Sequence, residues 1–374
     1  MRLLDRHVLR ELLLPFAYCL GGFLVFWIAF DVFSELGEYQ RAKLRLEDVL
    51  ELYLVRTPEF LVMVLPIAFL LALLYALTNL ARHNEITAMR AAGRSLLRIA
   101  LPCLGTGFVL SLAVLAINEL WLPDSLEKAE NILQRRARGA QAEARRQWET
   151  RLGFRSSSAT HTNEWLIEAF HLEQAWLLRP HVVRLDESGG RLELLAERGW
   201  WETNTWVFTN VNLLIYSPVP GTPPERQQTD MLAVPELTET PDQIRSEVKI
   251  KKLTSLRMVR KAQLSIREIL DYQRLHPGGT SQDAILETKL HGRLASPWTC
   301  LVVVLIALPF GAASGRRNVF VGVASSIVIC FTYFVLLQLA LALGSSGYVT
   351  PWLAAWSPNL FFAVAGLLLT LRVR

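Results

Sequence analysis

Long stretches without a single charged side chain constrain this sequence more than any other feature. Leu12–Phe30, Phe60–Ala81, Ile99–Asn118 and Leu294–Gly315 carry none, and neither does Asn318–Leu371. The last stretch is divided by Gly344-Ser345-Ser346-Gly347-Tyr348-Val349-Thr350-Pro351, a cluster of turn-forming residues. A bilayer core takes about 20 apolar residues per helix, and six segments satisfy that length. Helices in soluble cores alternate with polar faces and do not stay uncharged for five turns. With 52% hydrophobic residues in a chain of 374, the composition agrees: this is an integral membrane protein with six transmembrane helices.

Charge orients the spans, because Lys and Arg near helix ends stay on the cytoplasmic side. Arg2, Arg6 and Arg10 precede the first span. On the same side fall Arg82, Arg90, Arg94 and Arg98, then Arg316 and Arg317, then Arg372 and Arg374. The opposite loops are poorer in net positive charge, since Arg41, Lys43 and Arg45 are offset by Asp31, Glu35, Glu38, Glu47, Asp48 and Glu51. Both termini are therefore expected in the cytoplasm, with the long segment from about Trp121 to Leu290 outside. That segment is also basic, but long domains cross membranes regardless of charge. The first span lacks a small-residue cleavage site and reads as a retained helix. The four cysteines, Cys19, Cys103, Cys300 and Cys330, all lie in expected spans, so no disulfide framework is implied.

The outer segment opens with a polar helical stretch, Ser125–Arg146, and then changes period. Trp165–Phe170, Val182–Leu185, Arg191–Ala196 and Trp206–Tyr216 read as strands. Gly189-Gly190 between the second and third is a hairpin signal. In the fourth, Trp206 and Phe208, and later Leu213 and Ile215, take alternating positions. Short strands separated by turns suggest a sandwich or a jelly roll. Ser265-Ile266-Arg267-Glu268 fits a capping box opening a helix that ends near His276-Pro277-Gly278-Gly279, and a second helix from about Ser281 leads into the fourth span. Lys249, Lys251, Lys252, Arg257, Arg260 and Lys261 read as a solvated strand face rather than a phosphate site. The expected layout is α+β: spans one to three in 1–121, a β domain in 122–290 and spans four to six in 291–374.

No phosphate-cradling G-x-x-x-x-G-K-[ST] loop, Ser-His-Asp set, paired catalytic carboxylates or HExxH occurs. The His residues show no metal-ligand spacing, so neither metal nor cofactor is expected. The spans lack the buried charges that ion-coupled carriers use along their paths. Pro15, Pro66, Pro102, Pro297 and Pro309 read as kinks. The informative cytoplasmic element is 82–93, Arg82-His83-Asn84-Glu85-Ile86-Thr87-Ala88-Met89-Arg90-Ala91-Ala92-Gly93. It reads as one short helix with Ile86, Met89, Arg90 and Gly93 on a common face, Gly93 as its C-cap residue and Ser95 opening the next helix. Apolar residues exposed there and framed by charge would make a docking surface. The plainer alternative is a surface helix joining two spans.

Motifs spread along the whole chain carry a resemblance. Leu4-Asp5-Arg6-His7-Val8-Leu9-Arg10-Glu11-Leu12-Leu13-Leu14-Pro15-Phe16, the segment Asn84–Gly93, His291-Gly292-Arg293-Leu294-Ala295-Ser296-Pro297, Leu308-Pro309-Phe310-Gly311 with Gly315-Arg316-Arg317, and Pro351–Asn359 occur in order. Together they resemble the lipopolysaccharide-export permeases, the LptF/LptG (YjgP/YjgQ) family. That resemblance implies a periplasmic β-jelly roll and an inner-membrane location. It also implies pairing with a paralogous or identical permease around a cavity for lipopolysaccharide, with a gate at the first and fifth helices. A separate cytoplasmic ATPase dimer would dock on the helix at 82–93, giving Glu85, Ile86, Met89, Arg90 and Gly93 a coupling role. Jelly-roll bridge proteins would receive the lipid. The family places basic residues at the outer end of the first helix. Here Asp31, Glu35 and Glu38 stand there, so either Arg41, Lys43 and Arg45 further on meet the substrate or the substrate's charges differ, the plainer alternative being a solvated mixed-charge loop. F-like and G-like members share these motifs. Two other readings are a non-transporting scaffold that displays the β domain, and a membrane-bound enzyme acting on lipids, for which no catalytic constellation is present.

Overall fold

The computed structural model describes residues 3–42, 44–123, 125, 128–129, 131–133, 147–157, 161–186, 190–216, 223–252, 264–276, 282–312 and 319–372. In chain order these form α1 (Leu3–Arg41), α2 (Leu46–Arg82), α3 (Glu85–Ala91) and α4 (Leu96–Ala116), which runs on as a π-helix (Ile117–Trp121). Then come β1 (Trp148–Ser157), β2 (His161–His171), β3 (Trp176–Asp186), β4 (Arg191–Leu195), β5 (Arg198–Glu202), β6 (Thr205–Tyr216) and β7 (Glu225–Val234). After these come α5 (Pro241–Lys252), α6 (Ile266–Leu275), α7 (Asp283–Ala295), a 3-10 turn (Ser296–Trp298), α8 (Thr299–Ala312), α9 (Val319–Ser345) and α10 (Pro351–Arg372). Outside the described residues lie Lys43, most of Ser125–Arg146, Ser188-Gly189, Arg257, Arg260, Lys261, Pro277–Gly279, Ser281, Gly315–Arg317, Arg2 and Arg374.

The chain divides into two compact units, Met1–Arg136 with Ala284–Arg374, and Ala137–Asp283. In the first, six helical stretches are long and apolar enough to cross a membrane: Leu4–Gly37, Leu46–Arg82, Arg98–Trp121, Asp283–Pro309, Ile327–Ser345 and Pro351–Leu371. α2 is the central helix, with Phe69, Leu73 and Leu74 fully enclosed. The first and fifth stretches are the least buried.

Without a hydrophobic drive between helices in lipid, close packing and polar contacts decide which spans adhere. A Cβ on Gly366 of α10 would sit 2.7 Å from the backbone of Leu305 in α8, so these two helices approach backbone to backbone. One on Gly107 of α4 would meet Val304 at 2.9 Å. A polar relay joins three spans. The Tyr333 hydroxyl (α9) lies 2.8 Å from Thr299 Oγ1 (α8) and donates to Asn359 Oδ1 (α10) at 2.7 Å. Asn359 Nδ2 in turn donates to the Ala295 carbonyl at 2.7 Å, at the junction where α7 gives way to the Pro297-containing 3-10 turn.

The second unit is a seven-stranded antiparallel sheet. β4 and β5 lie end to end between β3 and β6, each pairing with both. Thr203 and Asn204, both at positive φ (49° and 63°), make the tight β5–β6 turn. The register never slips, yet one rung is skipped right across the sheet. Thr150↔Ala169 and Leu152↔Ile167 flank Arg151 and Glu168, Ile167↔Pro180 and Ala169↔Leu178 flank Glu168 and Arg179, and Thr209↔Met231 and Val211↔Thr229 flank Asn210 and Asp230. On alternate strands that rung is left-handed: Arg151 (φ 57°), Arg179 (φ 44°) and Asn210 (φ 51°).

A strand alternates its side chains with period two, and each strand changes phase at this line. Trp206 and Phe208 point inward before Asn210, and Val211 and Leu213 after it. Leu177 does so before Arg179, and Val182 after. The phase change lets the sheet crease while both halves present apolar side chains to one core of Phe154, Trp165, Ile167, Phe170, Leu177, Trp206 and Phe208. Outside, the same rung carries polar pairs, Arg179 to Glu168 at 3.0 Å and Asn210 to Glu197 at 2.6 Å.

The Ser265 capping box forms as expected, with Glu268 N–H donating to Ser265 Oγ at 3.1 Å and Ser265 N–H to Glu268 Oε2 at 2.7 Å. One expectation is corrected: Lys249, Lys251 and Lys252 belong to helix α5, not to a strand. Ile244 and Val248, one turn apart, pack on the sheet's inner face, and that contact selects the helix.

Candidate functional site: the helix between the second and third spans

The linker between the second and third spans folds as α3 between a left-handed Asn84 at its start and a glycine stop at its end. Asn84 enters in the left-handed conformation (φ 57°), which Asn tolerates better than most residues. At the other end Gly93 N–H bonds the Arg90 carbonyl at 2.9 Å and Arg94 N–H bonds the Met89 carbonyl at 3.1 Å. This double bond pattern terminates helices on a left-handed residue, and Gly93, at φ 79°, provides it without a Cβ penalty. Ser95 then accepts from Arg98 N–H at 3.3 Å and opens α4.

The packing inverts part of the sequence expectation. Ile86 and Met89 are not exposed: they sit in one cluster with Val8 and Leu12 of α1, Leu77 and Leu80 of α2, and Ile99 and Cys103 of α4. Apolar side chains on so short a helix gain more by joining the bundle than by facing water. The outward face is instead Thr87, Ala88 and Ala91, with Gly93 exposed at its end and Glu85 and Arg90 at its margins. Glu85 Oε2 lies 2.7 Å from His7 Nε2 of α1. Arg90 has no ion-pair partner among the described residues. Beside the helix, Asp5, Val8, Met89, Arg94 and Arg98 line a shallow cleft open to solvent. The surface is a small-residue platform between a carboxylate and a free guanidinium, with its apolar back glued to the bundle.

Of the second expected group, Arg41, Lys43 and Arg45, Lys43 lies outside the described residues. Arg41 ends α1 and is exposed, and Arg45 precedes α2, its N–H bonded to Asp48 Oδ2 at 2.8 Å. The cation that does organise this end of the first two spans is Arg56, which sequence reasoning missed. It donates to Asp31 Oδ2 at 2.8 Å and to Glu59 at 3.3 Å, and lies over the Phe60 ring at 5.2 Å. Tyr53 donates to the same Asp31 oxygen at 2.7 Å and meets Tyr39 hydroxyl to hydroxyl at 2.9 Å. Burial raises the Tyr39 hydroxyl above its usual pKa, which keeps it a neutral hydrogen-bonding group. The signal available in sequence was Asp31, an acid at the end of an apolar run that needed a partner. Among the described residues no cluster of His, Cys, Asp or Glu could hold a metal ion.

Comparison with known families decides what these elements belong to. A family model described as "Lipopolysaccharide export system permease LptF/LptG" matches residues 6–372. The chain belongs to the LptF/LptG family. No curated protein matches it closely enough to stand as a relative. Membership makes it the permease component of a lipopolysaccharide export system, a transport part and not itself a hydrolase. Six apolar helices suit a multi-pass inner-membrane LptF/LptG protein, and its second unit is built on the creased sheet.

Proposed function

We propose that this LptF/LptG protein is one permease half of an ATP-driven exporter. It pairs with a second permease, draws lipopolysaccharide from the inner membrane and passes it to periplasmic jelly-roll bridge proteins, while a separate cytoplasmic ATPase dimer docks on α3. Both termini and α3 are then cytoplasmic, and the sheet is a periplasmic jelly roll. The observation carrying this reading is the build of α3. Its outward residues are small enough to lie against another protein, Glu85 and Arg90 flank them, and its apolar side is packed on α1, α2 and α4. A push on such a helix reaches the spans without being absorbed by a loose loop. Edge strands β1 and β7 each pair on one side only among the described residues, which leaves backbone donors and acceptors for strand addition by a bridge protein. The hydrophobic cost of lipid in water, about 0.8 kcal/mol per methylene, explains the need for an external energy source.

Affinity purification in mild detergent should recover an ATPase and bound lipid with the chain, and the isolated chain should hydrolyse no ATP. Arg90→Glu should cut lipid released per ATP about tenfold, equivalent to ~1.4 kcal/mol of coupling, without lowering the melting temperature. Hydrolysis by the isolated chain, or labelling that puts Thr87 on the periplasmic side, would refute the reading.

A further inference from the structure

The inner face of the creased sheet is not empty. Leu237, Ile244 and Val248 share its core with Trp165, Leu177 and Phe208, so α5 lies where an apolar guest of this face would lie. α5 is an odd choice for a permanent core element. Its sequence, Pro-Asp-Gln-Ile-Arg-Ser-Glu-Val-Lys-Ile-Lys-Lys, is largely polar, yet Ser246 is 4% and Glu247 0% exposed. Neither carboxylate oxygen of Glu247 has a hydrogen-bond partner among the described residues. Lys251 Nζ at 3.0 Å and His276 Nδ1 at 3.8 Å approach it as ion-pair partners. Burying this carboxylate costs desolvation that its ion pairs with Lys251 and His276 only partly offset, a standing cost against the seated state.

The attachments are also unequal along the helix. Just before it, Glu239 accepts from Asn163 Nδ2 at 2.8 Å, and its carbonyl accepts from Trp206 Nε1 at 2.6 Å. In its first half Arg245 donates to the carbonyls of Leu172 and Glu173, at 2.5 and 2.9 Å. In its second half the polar attachments run through half-exposed lysines, Lys249 to Glu268 at 2.5 Å and Lys251 to the Gly153 carbonyl, beside the buried Val248 and Ile250.

We propose that α5 is a built-in stopper: it covers the apolar face of the sheet at rest and swings away about its Glu239–Arg245 anchor when the acyl chains of a lipid enter. This rests on the reading that the sheet shelters lipid, and deepens it by giving the site a regulating element. The stopper keeps the aromatic face from water between transport cycles, and the strained burial of Glu247 keeps release easy.

The test uses the full exporter complex in nanodiscs with lipopolysaccharide as the probe and a photo-crosslinking residue at Trp201, which packs against the core. Glu247→Leu removes the buried charge and should hold the stopper shut. Crosslinking to lipid should fall about tenfold, the change that ~1.4 kcal/mol produces, while the melting temperature rises. Val248→Ala should act oppositely and raise crosslinking several-fold, and it is mild enough to leave the sheet folded. Lipid crosslinks that are strong in the unmodified complex but equal in, or increased by, Glu247→Leu would overturn the stopper alone. Absence of lipid crosslinks in the unmodified complex would overturn the sheltering reading and the stopper with it.

Discussion

Asp271 shows how a single side chain reports on its surroundings. It lies buried on α6 with Arg274 3.5 Å away. Burial is the largest influence on its carboxyl and raises the pKa above the ordinary 3.8, with Asp242 and Glu268 adding to the rise and Arg274 opposing it. The folded state therefore holds this proton more tightly than the unfolded chain does. Stability contributed by Asp271 falls as pH rises from about 4 through the raised value, and above it a constant cost of the buried charge remains. Asp271→Asn should accordingly melt higher than the unmodified protein at pH 7, with the advantage shrinking below about pH 4. Thermal unfolding at both pH values checks this, and an advantage independent of pH would contradict it. Asp31, by contrast, has two donors, Tyr53 and Arg56.

Among the elements, the crease in the sheet carries the most consequence. A left-handed Arg costs roughly 1–2 kcal/mol, and Arg151 and Arg179 both adopt that conformation on the skipped rung. The phase change brings Leu177 and Val182 into one core, which offsets the strain. Arg179→Gly should leave stability unchanged or raise it by up to about 1 kcal/mol, whereas Arg179→Val, β-branched at positive φ, should lower it by roughly 1–3 kcal/mol. Denaturant unfolding of the two variants would decide, and equal effects would mean that the left-handed turn at this rung is not needed. α3 makes the complementary point. Gly93 sets where it stops, but its orientation comes from Ile86 and Met89 finding Val8, Leu12 and Ile99.

Over the whole molecule, each unit owns its core. The apolar cluster of the sheet and α5 runs from Leu152 to Val248, inside the unit Ala137–Asp283. Residues 137–283 expressed alone should therefore fold, remain soluble and unfold in one cooperative transition seen equally by far- and near-ultraviolet circular dichroism. Loss of near-ultraviolet signal without loss of strand content would show that the spans are needed to fix its packing. In the other unit, the relay from Thr299 through Tyr333 to Asn359 ties the otherwise exposed α9 to α8 and α10.

The sequence by itself determined the number and place of the spans, the linker helix with its Gly93 end and Ser95 start, four of the strands and the Ser265 cap. Each is a local property: a charge-free run, a cap or a period-two pattern can be read within one segment. Trp206, Phe208, Leu213 and Ile215 read in sequence only as alternating positions of one strand, and the phase change at Asn210 that creases the sheet came from the structure. β1, β5 and β7 escaped because short or edge strands such as Glu225–Val234 show no apolar alternation, and α5 escaped because only Ile244, Val248 and Ile250 are apolar in it. Only the tertiary structure decided that Ile86 and Met89 face inward, that Arg56 neutralises Asp31, and that α5 lies on the sheet. Those outcomes depend on surfaces far apart in the chain meeting and excluding water, and no stretch of sequence contains both sides of such a contact.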